Sequence, residues 1–206
     1  MCFHSKQSKD AVTVEKRFNA VVNDLLNFQP GEHYNGFAYP KTPVITNKEP
    51  QSIQQLQWGL IPHWAKDDTI KQYTLNAKIE TLTEKPSFRN SVNQRCLVIA
   101  DGFYEWQWLD AKGKQKQKYL IGLPDNELFA FAGIWAEWVS TETGEIKRTY
   151  SIVTTEASGI MREIHNSKKR MPVILTPHNE QLWLQNAPLS QFYKVNIALM
   201  AEKHDG

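Results

Sequence analysis

Cys2 directly follows Met1, and its chemistry depends on that position. Loss of Met1 would leave an α-amine and a β-thiol on adjacent carbons, a pair that no internal cysteine possesses. Such a 1,2-aminothiol captures aldehydes. The amine, with a reference pKa of about 7.7–8.0, forms an imine, and the thiol adds to the same carbon to close a five-membered thiazolidine. The second step is intramolecular, where effective molarities reach about 10⁵–10⁸ M, so ring closure traps the imine. The plain alternative is an incidental cysteine near a frayed end.

Three further residues could serve such chemistry. In DGFYEWQW, strand alternation puts Phe103, Glu105 and Gln107 on one face and Tyr104, Trp106 and Trp108 on the other. A carboxylate among aromatics is desolvated, which raises its pKa and suits it to general acid or base work near neutral pH. The alternative is an exposed strand glutamate. Asn76, in LNAKIET, could orient an amine or an oxyanion, or simply cap a helix. His165, in IHNSKKRMPVIL, precedes Lys168, Lys169 and Arg170. It could exchange protons while those cations hold phosphates, or it could lie in a solvated basic turn. Of the seven tryptophans most belong in a core; Trp64 and Trp106 are the candidates for stacking on bases, beside cations. Cys96, within the apolar CLVIA, reads as structural.

Composition limits what these residues can be part of. The chain has 206 residues, 24 Lys and Arg against 22 Asp and Glu, and a net charge of +2. That excludes a strongly basic nucleic-acid coat but leaves room for a local groove, since segments 1–20, 66–95, 96–118 and 161–170 carry +8 between them and the rest −6. Two cysteines make no disulfide scaffold, and no Cys/His spacing suits a structural metal. Apolar runs are far short of the ~20 residues of a membrane span, and no signal peptide opens the chain. A monomeric cytoplasmic protein without cofactor or membrane partner is expected.

The elements that must position these residues read as one α+β domain over residues 1–206, a strongly curved mixed sheet or partly open barrel with flanking helices. Apolar spacing from Val12 to Leu26 predicts an amphipathic helix. Residues 29–50 read as loop with a short strand at 43–46, and Ile53–Leu60 as a strand. Residues 66–73 read as a surface loop, and residues 76–83 show no period. A short helix is expected at 86–93. Strands follow at 95–100 and 103–108, joined tightly through Asp101-Gly102, then at 119–123, 128–138 and 147–154, an antiparallel meander. A short helix before His165, a strand at 171–175 and a helix at 179–185 complete the reading.

Together, Cys2, WGLIPHW, NAKIET, PSFR with RCLVIADGFYEW, FAGIW, SIVTTEA, and His165 before RMPVIL resemble the SOS-response-associated peptidase family. The resemblance implies a single α+β domain. It also implies that Cys2, freed of Met1 by the protein itself, forms a thiazolidine crosslink with an abasic site in single-stranded DNA, shielding it from cleavage. Asn76 would orient the amine, Glu105 would move protons during Met1 removal and imine formation, and His165 would help open the deoxyribose to its aldehyde. Lys78, Arg89 and Arg170 would contact phosphates and Trp106 would stack or wedge at a base. His4, where the family has arginine, and Trp64 complete the expected DNA contacts. Single-stranded DNA, with possible single-strand/duplex junctions, is the implied partner, and nucleoid association follows when DNA is bound. The loop between His165 and Arg170 is longer than the family's. Two readings from other classes compete: an N-terminal-nucleophile cysteine amidohydrolase acting on a small amide, and a non-covalent single-strand or junction binding module whose cysteine is incidental.

Overall fold

The structure is a computed structural model that describes residues 2–194 and 197–204. Its strands are β1 (His4–Gln7), β2 (Val21–Val22), β3 (Gly31–Asn35), β4 (Lys41–Thr46), β5 (Glu49–Trp58), β6 (Asn76–Lys78), β7 (Arg95–Ala100), β8 (Gly102–Trp108), β9 (Lys116–Gly122), β10 (Phe129–Val139), β11 (Ile146–Glu156), β12 (Arg170–Pro172), β13 (Ile174–Leu175) and β14 (Met200–Lys203). The α-helices are α1 (Ala11–Phe18), α2 (Met161–Ile164) and α3 (Pro177–Leu184).

Strand pairing closes the larger sheet on itself. The path β11-β10-β7-β4-β5 runs through antiparallel neighbours, and β5 then pairs in parallel with β11, Gln57 against Thr149 and Trp58 against Tyr150. Five strands therefore form a ring, which removes their free edges. The expected curved or partly open barrel is closed in this protein. β6 adds in parallel to β11, with Asn76 opposite Ile152, and β12 pairs with β11 from the other direction in sequence. A second sheet, ordered β14-β9-β8-β1-β3, carries the N-terminal strand in its interior.

Alternation along β7 divides the apolar interior into two clusters. Leu97 and Ile99 pack with Val14 of α1 and Trp183 of α3, while Cys96, Val98 and Ala100 pack with Phe103 and Ile121 of the second sheet, with Phe131, and with Cys2. The seam between ring and second sheet is where Cys2 ends up.

Several sequence expectations are corrected. The helix expected over 12–26 spans only Ala11–Phe18: Asp10 caps its start, accepting from Thr13 N at 2.7 Å, and Asn19 ends it in the left-handed region at φ 49°. The apolar spacing continues past that stop, but Val21–Val22 pair with β5 and Leu25 and Leu26 are 62% and 91% exposed. Residues 29–50 hold β3, β4 and the start of β5 rather than mainly loop. Residues 86–93 form turns and a 3₁₀ turn, Arg89–Ser91, in place of a helix. β7 and β8 share the Asp101-Gly102 turn yet enter different sheets, and β9 and β10 part likewise, so the middle is two antiparallel pairs and not one meander. The strand expected at 171–175 divides between β12 on β11 and β13 on β10. No described helix is long and apolar enough to cross a membrane.

Candidate functional site

The buried carboxylate of Asp101 pins the N-terminal strand. It accepts from Ser8 N at 3.1 Å and Ser8 Oγ at 2.5 Å, with Lys6 Nζ at 3.7 Å and Lys9 Nζ at 3.9 Å. β1 also pairs with both β8 and β3. These restraints carry Cys2 inward, where it is fully buried. Met1, whose loss would expose its amine, lies outside the described residues.

Four segments converge at Cys2. Asn76, at the head of β6, donates Nδ2 to the Cys2 carbonyl at 2.8 Å. Its Oδ1 is buried and has no hydrogen-bond partner among the described residues. Glu105, in the middle of β8, is 4% exposed, on the face opposite Trp106 as alternation predicts. Burial pushes its pKa up to about 7. His165, which caps α2, places Nε2 at 3.9 Å from Glu105 Oε2. Its Nδ1 accepts from Arg170 N–H at 3.0 Å, which leaves the hydrogen of a neutral ring on Nε2, toward Glu105. Burial lowers the His165 pKa to about 4, so the ring is neutral at pH 7. The Cys2 thiol is pushed up, by burial first and by the Glu105 carboxylate second, and stays protonated. A thiol and a carboxyl that titrates near neutral pH are thus set together in a dry place beside a neutral imidazole.

The loop after His165 is bound at both ends. Asn166 donates Nδ2 to Trp108 O at 2.9 Å and accepts from Trp108 N at 3.1 Å, while Gln107 Nε2 donates to Glu163 O at 3.2 Å. Lys169, at φ 49°, donates its N–H to His165 O at 2.8 Å, which turns the chain back into β12. The α2–β12 segment is therefore held against β8, the strand of Glu105.

The expected DNA contacts are placed less uniformly. Lys78, two residues from Asn76, and Arg89, on the 3₁₀ turn, are exposed and form no salt bridge with the described residues; the same holds for Lys168 and Lys169. Arg170 is committed: Nη1 and Nη2 form a two-pronged pair with Glu80 at 2.8 and 2.9 Å, and Nη2 also donates to Thr154 O at 2.8 Å. Its backbone, not its guanidinium, touches the His165 ring. Trp106 is half-buried with its ring 4.8 Å from that of His4. Trp64 is 46% exposed and adjoins Ala65, whose carbonyl accepts from Trp138 Nε1. Trp138 pairs with Lys147 on β11, five residues and thus roughly 17 Å before Asn76's partner Ile152. Sequence reasoning missed Glu80 and Asn166. Glu80 lies within the NAKIET block, but nothing local signals that its carboxylate meets an arginine from β12.

The family model described as SOS response associated peptidase (SRAP) matches residues 1–203. The chain is 42% identical over 202 residues to the abasic site processing protein YoaM of Bacillus subtilis, covering 94% of this chain and 86% of that one. It is 34% identical over 146 residues to the abasic site processing protein HMCES of Gallus gallus, covering 60% of this chain and 42% of that longer one. Among solved structures, a protein from Bacteroides thetaiotaomicron superposes with a TM-score of 0.88 at 32% identity, over 98% of this chain and 91% of that one.

Proposed function

The chain belongs to the SOS response associated peptidase family, and on that premise we propose that it processes abasic sites in single-stranded DNA by covalent capture on Cys2. The observation that carries this reading is the hydrogen bond from Asn76 to the Cys2 carbonyl, which holds an N-terminal cysteine beside the buried Glu105–His165 pair. Residues from four segments meet here with three titratable groups, the Cys2 thiol, Glu105 and His165, out of water. Burying them is costly unless they act together.

The chemistry follows from the placement. Water first hydrolyses the Met1–Cys2 peptide bond, with Glu105, whose pKa near 7 lets it both accept and donate, carrying the proton from water to the departing amine. As the abasic deoxyribose opens to the aldehyde, its C1 hydroxyl proton is taken up and a proton returned to the ring oxygen, with no net change, while the neutral His165 Nε2–H hydrogen-bonds that oxygen. The Cys2 amine then adds to the aldehyde carbon, a C–N bond forms, and one water leaves as the imine appears. Finally the thiol adds to the imine carbon. Its proton passes by way of Glu105 to the nitrogen, so the ring closes with no net loss beyond that water. The raised thiol pKa keeps sulfur protonated, and so unreactive to oxidants, until the imine is in place. Asn76 fixes the backbone of the reacting residue throughout. Lys78, Arg89, Lys168 and Lys169 supply exposed cations for the DNA backbone, and Arg170 braces His165 from its place on Glu80.

Processed protein incubated with single-stranded DNA bearing one abasic site is expected to give a shifted band on a denaturing gel, and Cys2→Ala to give none. Absence of the band with a wild-type sample shown by mass spectrometry to lack Met1 overturns the reading. A complex that salt dissolves completely favours the non-covalent module, and turnover of small amides favours the amidohydrolase.

A further inference from the structure

The outer face of the second sheet carries a titratable cluster that the chemistry above does not use. His4 Nδ1 lies 2.7 Å from His33 Nε2, with ring centroids 4.9 Å apart. Only one hydrogen fits between those nitrogens. His33 is exposed and His4 half-buried. Aromatic rings flank both: Trp106 is 4.8 Å from His4, and Tyr104 is 5.0 Å from His33. Lys118 Nζ sits 4.5 Å over the Tyr104 ring, and the His204 ring is 5.3 Å from it. The remaining charges are Lys6 on β1, shared between Glu32 on β3 at 3.4 Å and the buried Asp101 at 3.7 Å, and Glu202 on β14, whose strand partner Leu120 also pairs with Tyr104. Each strand of this sheet, or the residue after it, thus brings a basic or titratable group to one place, and the Glu32 and Asp101 carboxylates are matched by Lys6. Among the described residues no three His, Cys, Asp or Glu side chains are grouped to hold a metal ion. The ligand that fits is an anion.

We propose that His4 and His33 act as one proton-linked grip for a DNA phosphate flanking the abasic site, an inference that rests on the function proposed above and adds His33 and Lys118 to its binding residues. The pair can take up one proton without losing its N–H···N bond. Both outward nitrogens, His4 Nε2 and His33 Nδ1, then carry hydrogens, and the pair becomes a cation with two donors matched to phosphate oxygens. The rings of Trp106 and Tyr104 favour that cation. Position supports the ligand: two residues of chain span no more than about 7 Å, so a nucleotide whose sugar carbon is on Cys2 has its own flanking phosphates within reach of His4.

In the protein alone, burial first, then His33 and Lys118, hold the His4 pKa down to about 4, and burial with Lys118 and His204 lowers that of His33. The His4–His33 pair is therefore neutral at pH 7 until an anion arrives. A phosphate raises the pair's pKa, so binding takes up a proton and strengthens as pH falls from neutral toward the free-state value.

The test measures reversible binding of abasic single-stranded DNA to the Cys2→Ala protein at pH 8 and pH 5.5. The expected result is at least tenfold tighter binding at pH 5.5. His33→Gln is expected to lose most of that gain, and His33→Lys to bind tightly at both pH values because its charge is permanent. Neutral methylphosphonate linkages on both sides of the abasic site are expected to remove the gain as well. An equal gain in His33→Gln, or one that survives the neutral linkages, overturns the grip. Wild-type crosslinking run beside it keeps the two ideas apart: crosslinking without the pH gain overturns the grip alone, and no crosslinking overturns the function.

Discussion

Arg95, at the start of β7, and Glu105, in the middle of β8, are both charged side chains taken out of water, at 2% and 4% exposure. Their surroundings differ. Arg95 donates to the carbonyls of Val92, Ala187 and Trp183 at 3.1, 2.7 and 3.4 Å, and its guanidinium lies 4.4 Å from the Trp183 ring centroid. Burial lowers its pKa to about 10, still far above neutral, so it remains a fixed cation that staples α3 and the chain beyond it to the ring. Glu105 faces a histidine and a thiol, and the same kind of desolvation brings it to about 7. Burial alone does not make a site. One group is left with a single protonation state and saturated partners, the other with two states and reactive neighbours.

The two positions are expected to respond to substitution in opposite ways. Glu105→Gln keeps the shape and removes the titration. Crosslinking in single-turnover assays is expected to slow by about 10²–10⁴-fold, with thermal stability unchanged or raised. A rate within threefold of wild type breaks the comparison on the catalytic side. Arg95→Met removes a donor from the Val92, Ala187 and Trp183 carbonyls, of which Trp183 O keeps Asn186 N–H at 3.1 Å, and is expected to cost about 3 kcal/mol in denaturant unfolding, while the crosslinking rate per folded molecule changes less than twofold. Normal stability would mean that the guanidinium is not a staple.

The pH dependence of stability sharpens the same point. Glu105 has a folded pKa raised to about 7, so its contribution is present below the unfolded value near 4.3 and is lost as pH rises through about 7. His165 has a folded pKa lowered to about 4, so its contribution is present above the unfolded value near 6.5 and is lost as pH falls through about 4. Between pH 4 and 7 the two slopes oppose each other and largely cancel. Glu105→Gln is expected to unmask loss of stability on acidification, and His165→Gln loss on raising the pH, both readable from melting temperatures in a pH series. Parallel curves for all three proteins would show that the pair is not coupled as drawn. The smallest effect expected is from Asn166→Ala, which frees the α2–β12 segment from β8. It should slow crosslinking about threefold, and Asn166→Asp, which keeps only the acceptor, should fall between.

Much of this was legible before any coordinates. Alternation in DGFYEWQW set Glu105 opposite Trp106, and the helix expected at 179–185 is present two residues earlier, because Thr176 caps α3 through its hydroxyl, which accepts from Asn179 N at 3.3 Å, and Pro177 opens its first turn. The first helix was overread because the apolar spacing runs on past Asn19, where a left-handed residue ends it; what buries Val22 is a parallel strand, a partner from elsewhere in the chain. Arg170 shows the same limit for function. Its place among three basic residues suggests a phosphate contact, and nothing in that run signals that Glu80, brought over by β6 and the turn after it, pairs with the guanidinium.

Residue types alone specify that Cys2 could trap an aldehyde, that Glu105 and Trp106 lie on opposite faces, and that the chain has the strands for a curved mixed sheet. They do so because covalent structure and strand alternation are local properties. The ring closed by β5 on β11, the ionisation of Glu105, the tautomer of His165 and the division of cations between Glu80 and open solvent were decided only in three dimensions. Desolvation and pairing depend on which distant segments arrive beside a group, and no spacing within one segment encodes that arrival.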